Sequence, residues 1–468
     1  MDSSSVPLTA TAKLEEEPVF SLPVDADQKA TVFRPFSITP PHMRAFHLAW
    51  ISLFSCFFST FSVPPLLAVI REDLNLTDAD ISHSGAASFA GSIFFRLAMG
   101  PICDFVGPRV ASATLSLLTA PAILAMSVIS SPQSFVIVRF VAGLSLANFV
   151  ANQFWMTSMF SAPVVGLANG VSAGWANAGS GLTQLLMPLI YSLFTNSFHV
   201  PSSTAWRLAF IVPATFQVVT AILVLAFGQD RPCYNKHEQN KKDIAIKESL
   251  LSIMFDGLRN YRGWILALVY GFCFGVEMTM DNVVAGYYYE RFGVNIEVAG
   301  VIAASFGMTN VFARPMGGKV SDEVGRRFGM RGRLWGLWAA QAVAGTMCVL
   351  LGRVSSLWGS IGVMCAFSVF VQATGGLTFG VVPFVSKRSL GVISGMTGSG
   401  GTFGAVITQL LLFSGSKFSK QTSISLMGVM MIASSLPVTL IYFPQWGGML
   451  CGPSYDFNPE TNHFRLLE

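Results

Sequence analysis

Two arginines occupy matching places in two copies of one sequence pattern. The stretch "RLAMGPICDFVGPR" begins at Arg96 and "RPMGGKVSDEVGRR" begins at Arg314, and both read R-x3-G-x3-D-x2-G-x-R. Each arginine lies about two helical turns before its aspartate, inside an apolar run. A guanidinium group is a flat fork of N–H donors, so it suits a small planar oxyanion that accepts two parallel hydrogen bonds. The pattern therefore predicts an anion site to which both arginines contribute.

Burying these two charges costs free energy, and an anion site is one of three ways in which the protein could offset that cost. A charge near the centre of a bilayer costs at least ~2.5–3.5 kcal/mol, so such a residue usually faces the interior of a helix bundle. An arginine could instead pair with a buried carboxylate or extend to the membrane surface. Glu277 and Asp281 are the available acidic partners, and they are also candidate proton carriers. The first half has no carboxylate at this depth, which favours the anion site.

The remainder of each copy predicts a turn on one side of the membrane. Glycine allows close helix contact, while aspartate can pair with basic groups or cap a helix end. One copy would be explained equally well by a simple basic turn. Two copies in register favour loops whose interactions stabilise one conformation of the protein and break in another. These predicted switch residues are Gly100, Asp104, Gly107 and Arg109 in the first copy and Gly318, Asp322, Gly325 and Arg327 in the second.

A glycine-rich segment, "NGVSAGWANAGSGLTQ", lies in the first half of the chain. Small residues at this spacing favour close helix packing. Asn177 is a hydrogen-bonding group among these small residues, so it could reach a substrate that the glycines allow to come close. The following "GLTQLL" from Gly181 resembles "VITQLL" from Val406, which is a second sign of an internal repeat.

The composition is that of a polytopic membrane protein. Of the 468 residues, 52% are hydrophobic and 12% charged, with 43 glycines, 39 phenylalanines and a mean hydropathy of +0.56, whereas soluble domains carry about 25% charged residues. The net charge of +4 does not indicate nucleic-acid binding, because the basic residues fall in short loops. The seven scattered cysteines are predicted to pack, without disulfides or metal sites. Without catalytic motifs, we predict no enzyme, metal or cofactor.

Apolar runs long enough to span a bilayer recur twelve times. They cover about 45–70, 81–103, 108–130, 134–153, 164–194, 207–228, 262–288, 297–319, 333–352, 356–380, 388–414 and 423–444. The predicted fold is all-α, with twelve transmembrane helices in two pseudo-symmetric halves and a substrate path between them at the membrane midplane. The predicted parts are a disordered cytosolic N-terminal tail (1–44), a six-helix half (45–228), a cytosolic central loop (229–261), a second six-helix half (262–445) and a cytosolic C-terminal tail (446–468).

Basic residues concentrate in alternate loops. The central loop, the loop after the eighth span and the loop after the tenth span, with Lys387 and Arg388, each carry a cluster of them. The positive-inside rule places these loops and both termini in the cytoplasm. The first loop, on the opposite side, contains the sequence Asn75-Leu76-Thr77, which is a glycosylation sequon, a chance match or a helix cap.

These motifs resemble a known family. The doubled loop element resembles the major facilitator superfamily, and the arginine pair with the glycine-rich fifth and eleventh spans resembles its nitrate/nitrite porter family. The stretches "GLANGVSAGWANAGSGLTQLLMPLIY", "TAWRLAF" and "RFGMRGRLWGLW" are similar to plant high-affinity nitrate transporters over nearly all of residues 30 to 455. The stretches "FVANQFW", "ASFAGSIF" and "YFPQWGGM" resemble the seed-type, vacuolar-membrane branch of that family.

The resemblance implies roles for individual residues. Arg96 and Arg314 would clamp nitrate, and Asn177, in the first nitrate signature, would contact it. Three aromatic residues would line the site: Tyr270, Phe274 and Phe149. The second signature has Thr402 where plant members often have asparagine, which leaves the contact from the eleventh span open.

The resemblance also implies partners and a location. Plant members are generally proton-coupled, and many need a single-span accessory subunit. The branch implies the vacuolar membrane, and the C-terminal Leu466-Leu467 is a dileucine; the alternative is the plasma membrane. Two rival functions are a nitrate sensor without net transport and a porter for nitrite or another small anion.

Overall fold

The computed structural model of the protein describes residues 20–232, 250–386, 389–414 and 418–454, and these are almost entirely helical. The helices of the first half are His42–Thr60, Pro64–Leu66, Leu67–Leu74, Asp78–Val106, Pro108–Ala125, Pro132–Gly143, Leu144–Ala147, Asn148–Met159, Ala162–Ser192, Leu193–Ser197, Ser202–Ala209 and Ile211–Phe227. Those of the second half are Leu250–Arg259, Tyr261–Gly271, Phe274–Phe292, Ile296–Met308, Asn310–Arg353, Leu357–Val381, Val382–Phe384, Leu390–Phe413, Lys420–Ser435 and Leu436–Leu440. A short hairpin then pairs Tyr442–Phe443 with Gly447–Gly448.

Within these ranges, ten helical segments are long and apolar enough to cross a membrane. One of them, Glu297–Arg353, contains two spans, the eighth and the ninth, separated by a kink at Gly329. The glycine-rich fifth span, Ala162–Ser192, is a helix of 31 residues and is not among the ten. With these two additions the helices correspond to the twelve predicted spans, so the predicted fold class is confirmed.

Some predicted features lie outside the described residues. They are the first part of the N-terminal tail (1–19), most of the central loop (233–249), Lys387, Arg388, and the C-terminal tail from residue 455, with Leu466 and Leu467.

The described part of the N-terminal tail is folded, contrary to the expectation of disorder. Ala30 is fully buried and forms a β-bridge with Phe160 at the end of the fourth span. The Lys29 ammonium donates a hydrogen bond of 3.1 Å to the carbonyl of Thr157. Residues 20–41 therefore cover the end of the first half.

The two copies of the repeat turn at different places. In the first copy the helix ends at Gly107, whose φ of 84° favours glycine. In the second copy the matching Gly325 stays helical, and the chain turns at Gly329, with φ 64°. The second copy therefore continues as helix for about one more turn, which its sequence pattern does not indicate.

The two halves meet along two pairs of helices, the second with the eleventh span and the fifth with the eighth. A Cβ atom added at Gly100 would lie 2.8 Å from the carbonyl oxygen of Gly391, and one at Gly318 would lie 2.9 Å from that of Gly166. Both distances are too short for a side chain. The matched glycines of the two copies thus form two backbone contacts between the halves, which we call the glycine contacts, and they lie at the face that carries the basic loops.

A cavity of about 850 Å³ separates the halves at the opposite face. Its walls come from the connections between spans 1 and 2, 7 and 8, and 11 and 12, which include Arg71, Asn75, Glu290 and Lys420. We call this the first-loop face. Asn75 adopts a left-handed conformation with φ 51° and caps the C-terminal end of the helix Leu67–Leu74. The asparagine of the sequon is therefore a helix cap in the fold.

Candidate functional site

Arg96 lies between the two halves, in the middle of the second span. Its side chain is fully buried, and Nη1 donates a hydrogen bond of 2.7 Å to the carbonyl of Gly398 in the eleventh span. Its Nε and Nη2 have no hydrogen-bond partner within the described ranges. Burying a donor without a partner usually costs about 1–3 kcal/mol, and more for a charged group. Arg96 therefore presents two N–H groups that an anion could satisfy.

Aromatic rings form the walls around this guanidinium group. The Arg96 Cζ lies 5.2 Å from the ring centre of Phe149 and 5.3 Å from that of Phe274. The Cζ of Arg314 lies 5.1 Å from the same Phe274 ring. Tyr270 stacks on Phe274 with ring centres 5.0 Å apart. The side chains predicted to line the site thus come together, and Phe274 adjoins both arginines.

Arg314, in the eighth span, has a different environment from Arg96. Its Nη2 lies 2.8 Å from a carboxylate oxygen of Glu277, and both side chains are almost fully buried. Its Nε donates to Asn310 at 3.3 Å, and its Nη1 donates to the Tyr270 hydroxyl at 3.2 Å. Asn310 in turn donates to the other Glu277 oxygen at 2.8 Å. Arg314 is therefore a fully paired charge, and the two arginines are not equivalent.

Asn177 joins the first half to this network. With its amide oxygen facing Arg314, it accepts hydrogen bonds of 3.0 Å from both Nη1 and Nη2. The fifth span can come this close because Gly174 packs directly against the backbone of Asn310. The glycine-rich segment thus combines close helix packing with one polar contact to the arginine.

The two predicted acidic residues of the seventh span differ in their partners. Glu277 is paired with Arg314, as described above. Asp281, one turn further, is 4% exposed, and its carboxylate contacts the Ser180 hydroxyl. No ion pair to Asp281 is formed within the described residues. Asp281 is thus a buried carboxylate beside the ion pair.

Three further contributors were not singled out from the sequence. Asn310 lies one turn before Arg314, and this spacing on a helix could have indicated it. Phe379 of the tenth span packs edge-on against Phe149 and Tyr270, at 5.3 and 5.2 Å. Gly398 contributes a backbone carbonyl, for which side-chain chemistry gives no signal. Thr402 donates to the Ser399 carbonyl of its own helix.

The predicted switch loops form different ion pairs in the two halves. In the first half, the Arg109 side chain lies 3.5 Å from Asp230, after the sixth span, and its backbone N–H donates to the same carboxylate at 2.9 Å. Burial raises the pKa of the Asp230 carboxyl, and Arg109 opposes that change. The Asp104 side chain lies outside the described part of the molecule.

In the second half, Asp322 connects the two halves. It pairs with Arg333 at 2.9 Å, and a Cβ atom added at Gly166 of the fifth span would lie 2.5 Å from its carboxylate. Arg327 instead pairs with Glu323 at 2.7 Å on the surface. Asp322 thus packs directly against the first half at the basic-loop face.

Comparison with known proteins agrees with this architecture. The profile of the Major Facilitator Superfamily matches residues 49–409. The chain is 64% identical to high affinity nitrate transporter 2.7 of Arabidopsis thaliana, over 96% of this chain and 93% of the relative. It is 57% identical to high-affinity nitrate transporter 2.3 of Oryza sativa subsp. japonica, over 96% and 87%.

A solved structure shows the same fold at low sequence identity. The superfamily's proton:xylose symporter aligns with a TM-score of 0.64 and 12% identity, over 84% of this chain and 94% of that one. The fold and the family are those of transporters, not of enzymes. The chain therefore belongs to the major facilitator superfamily and, within it, to the plant high-affinity nitrate transporter 2 family.

Proposed function

We propose that this protein carries nitrate across a membrane, with Arg96 and Arg314 at the substrate site. The observation that carries the proposal is the buried Arg96 guanidinium, which keeps two N–H groups unpaired between the halves and beside two aromatic rings. Nitrate is planar and singly charged, so it can accept the parallel hydrogen bonds that this fork offers. The names of the close relatives support the same substrate.

Transport would proceed by alternating access. The cavity at the first-loop face, together with the glycine contacts and Asp322 at the basic-loop face, supports a state that opens on one side only. Nitrate entering between the halves would reduce the repulsion between the two arginines and favour closure around it. A ligand shifts such an equilibrium only through its different affinity for the two states. Rocking of one half against the other would then open the basic-loop face.

Coupling to protons would involve Glu277, with Asp281 as the second candidate. In the structure the Glu277 carboxylate forms an ion pair with Arg314. Nitrate and this carboxylate would therefore compete for the same guanidinium group. Protonation of Glu277 would weaken the ion pair and free Arg314 for nitrate. Moving one anion into a negative compartment costs ~2.3 kcal/mol per 100 mV, and more than one proton per nitrate would reverse the sign.

The proposed location is the vacuolar membrane. It rests on the resemblance to the seed-type branch, and the plasma membrane is the alternative. A fluorescent fusion to the complete chain should mark the vacuolar membrane, and a signal confined to the cell surface would refute this location. The single-span accessory subunit that the family resemblance implies stays a prediction.

Nitrate uptake into proteoliposomes tests the proposed function. The purified protein should accumulate labelled nitrate when a proton gradient is imposed, and a proton ionophore should abolish accumulation without abolishing exchange. Protein that binds nitrate but does not move it would indicate a sensor. Competition with unlabelled nitrite would show whether nitrite or another small anion is the preferred substrate.

A further inference from the structure

Asn310 of the eighth span closes a ring of hydrogen bonds with the buried ion pair. Its side chain is fully buried, and its amide nitrogen donates to one Glu277 oxygen at 2.8 Å. Its amide oxygen accepts a hydrogen bond of 3.3 Å from the Arg314 Nε. The Arg314 Nη2 completes the ring, because it donates to the second Glu277 oxygen at 2.8 Å. One neutral side chain thus bridges both charges of the ion pair.

The two arginines differ in what covers one edge of the guanidinium group. Nε and Nη2 carry parallel N–H groups, which is the geometry that a planar oxyanion can accept. On Arg96 these two atoms have no hydrogen-bond partner within the described residues. On Arg314 the Asn310 oxygen covers Nε and a Glu277 oxygen covers Nη2. Asn310 and Glu277 therefore hold the two places that oxygen atoms of a bound oxyanion would take.

The third nitrogen of each guanidinium group has a partner away from this edge. The Arg96 Nη1 donates to the Gly398 carbonyl at 2.7 Å, and the Arg314 Nη1 donates to the Tyr270 hydroxyl at 3.2 Å. The Asn177 oxygen lies on the other edge of Arg314, 3.0 Å from both Nη1 and Nη2. The edge formed by Nε and Nη2 is therefore the one that is open on the first arginine and covered on the second.

The charge of Glu277 fixes the orientation of the Asn310 amide. An ionised carboxylate only accepts hydrogen bonds, and a guanidinium group only donates them. The amide therefore turns its nitrogen to Glu277 and its oxygen to Arg314, as in the structure. A proton on the Glu277 oxygen beside Asn310 would make that oxygen a donor. Rotation of the amide by half a turn would then bring the amide oxygen to the new hydroxyl group and the NH2 group to Nε.

We propose that Asn310 is a positioning residue that covers or uncovers the edge of Arg314 according to the protonation of Glu277. The proposal rests on the proposed proton-coupled transport and names the residue through which the proton acts on the anion site. After rotation two donors face each other at Nε, so an oxyanion is the better partner for Arg314. The proton, which the gradient supplies, forms an O–H bond on Glu277 and leaves one net positive charge, and the anion then neutralises it.

The titratable groups around Glu277 come from two spans. Arg314 faces it from the eighth span, and Tyr270, Cys273 and Asp281 lie near it on the seventh. A proton on Glu277 would favour nitrate at Arg314, and by thermodynamic linkage nitrate at Arg314 would favour the proton to the same extent. Binding of nitrate should therefore depend on pH, and Asn310 should determine how steeply.

Two substitutions of opposite character test this role. Asn310→Leu has a similar size but cannot cover Nε, so at neutral pH it should lower the half-saturation concentration of nitrate about threefold to tenfold. Asn310→Asp keeps an oxygen on Nε and adds a negative charge, so it should raise that concentration by about tenfold or more. A residue that only maintained the fold would not give opposite shifts.

The pH dependence is the second measurement. In the unmodified protein the half-saturation concentration should be about tenfold lower at acidic than at neutral pH, and both Asn310 variants should reduce this ratio to about threefold or less. Nitrate exchange in proteoliposomes with the same pH on both sides gives these values without the driving force of a gradient. Rates are normalised to folded protein in the membrane.

A buried amide in the first half provides the matched control. Gln217 of the sixth span donates to the Ser116 carbonyl at 3.1 Å and to the Thr119 hydroxyl at 2.7 Å. Gln217→Leu and Gln217→Glu should lower stability without opposite shifts in half-saturation. If Asn310→Leu does not reach the membrane, Asn310→Ala removes the same two hydrogen bonds and should shift half-saturation in the same direction.

The outcomes separate this role from the functions on which it rests. Asn310 variants that shift half-saturation in the same direction, or not at all, would overturn the role of Asn310. Unmodified protein that exchanges nitrate with equal half-saturation at both pH values would overturn coupling through Glu277, and the role of Asn310 with it. Unmodified protein that moves no nitrate would overturn the proposed function itself.

Discussion

Replacing Arg96 by lysine should raise the nitrate concentration for half-maximal uptake roughly tenfold to a hundredfold. Lysine keeps the positive charge but loses the planar fork that can hold two oxygens at once. Losing one charge-assisted hydrogen bond is worth about 1.5–3 kcal/mol, and each 1.4 kcal/mol corresponds to a factor of ten in affinity. The measurement is the initial uptake rate against nitrate concentration, at equal abundance of each variant in the membrane.

Two further lysine substitutions show whether this effect is specific. Arg314→Lys should also weaken nitrate binding, and it should lower abundance more than Arg96→Lys does, because it disturbs the buried pair with Glu277. Arg109→Lys, in the switch loop beside Asp230, should change the maximal rate while leaving half-saturation near the wild-type value. Near-normal affinity in both Arg96→Lys and Arg314→Lys would falsify the arginine site.

Replacing Glu277 by glutamine should uncouple uptake from the proton gradient. An amide keeps most of the shape and can still accept from Asn310, but it cannot carry a proton, and it leaves Arg314 permanently available to nitrate. We expect stimulation of uptake by an imposed pH gradient to fall at least tenfold, while exchange of nitrate between the two sides stays within threefold. Uptake and counterflow in the same proteoliposomes measure the two quantities.

Asp281→Asn is the comparison for this experiment. Asp281 lies one turn beyond Glu277 without an ion-pair partner in the described structure, so its substitution should leave most of the gradient response in place. Loss of the response in Asp281→Asn alone would move the proton carrier to Asp281. An unchanged response in both variants would contradict coupling through the seventh span.

Much of this architecture could be predicted from the sequence, because it follows from patterns that recur along the chain. The apolar runs give the spans, and the doubled pattern from Arg96 and Arg314 places two charges at equivalent depths. The repeat suggested two equivalent arginines, however, whereas in the described structure only Arg314 of the pair has a carboxylate partner. That partner, Glu277, belongs to a different span, and a single sequence does not show how helices rotate against each other.

Features that depend on the backbone or on distant contacts could not be predicted from the residue types. The carbonyl of Gly398 receives the Arg96 hydrogen bond, but any residue at this position would have a carbonyl. The turn at Gly329 differs from the repeat because the helix continues past the matched Gly325. The order in residues 20–41 depends on contacts with the distant Phe160, which local polarity does not predict.

The glycine contacts at the basic-loop face bear on the energetics of the proposed transport cycle. Fixing a long side chain costs up to about 1.5–2 kcal/mol of rotamer entropy, whereas glycine has no rotamers to lose. Gly100 with Gly391, and Gly166 with Gly318, therefore bring the helices together without this cost at the points of closest approach. The proposed alternating-access cycle would make and break these contacts in every turnover. With no side chains to order or release there, these positions would add little side-chain entropy to the free-energy difference between the open and closed arrangements.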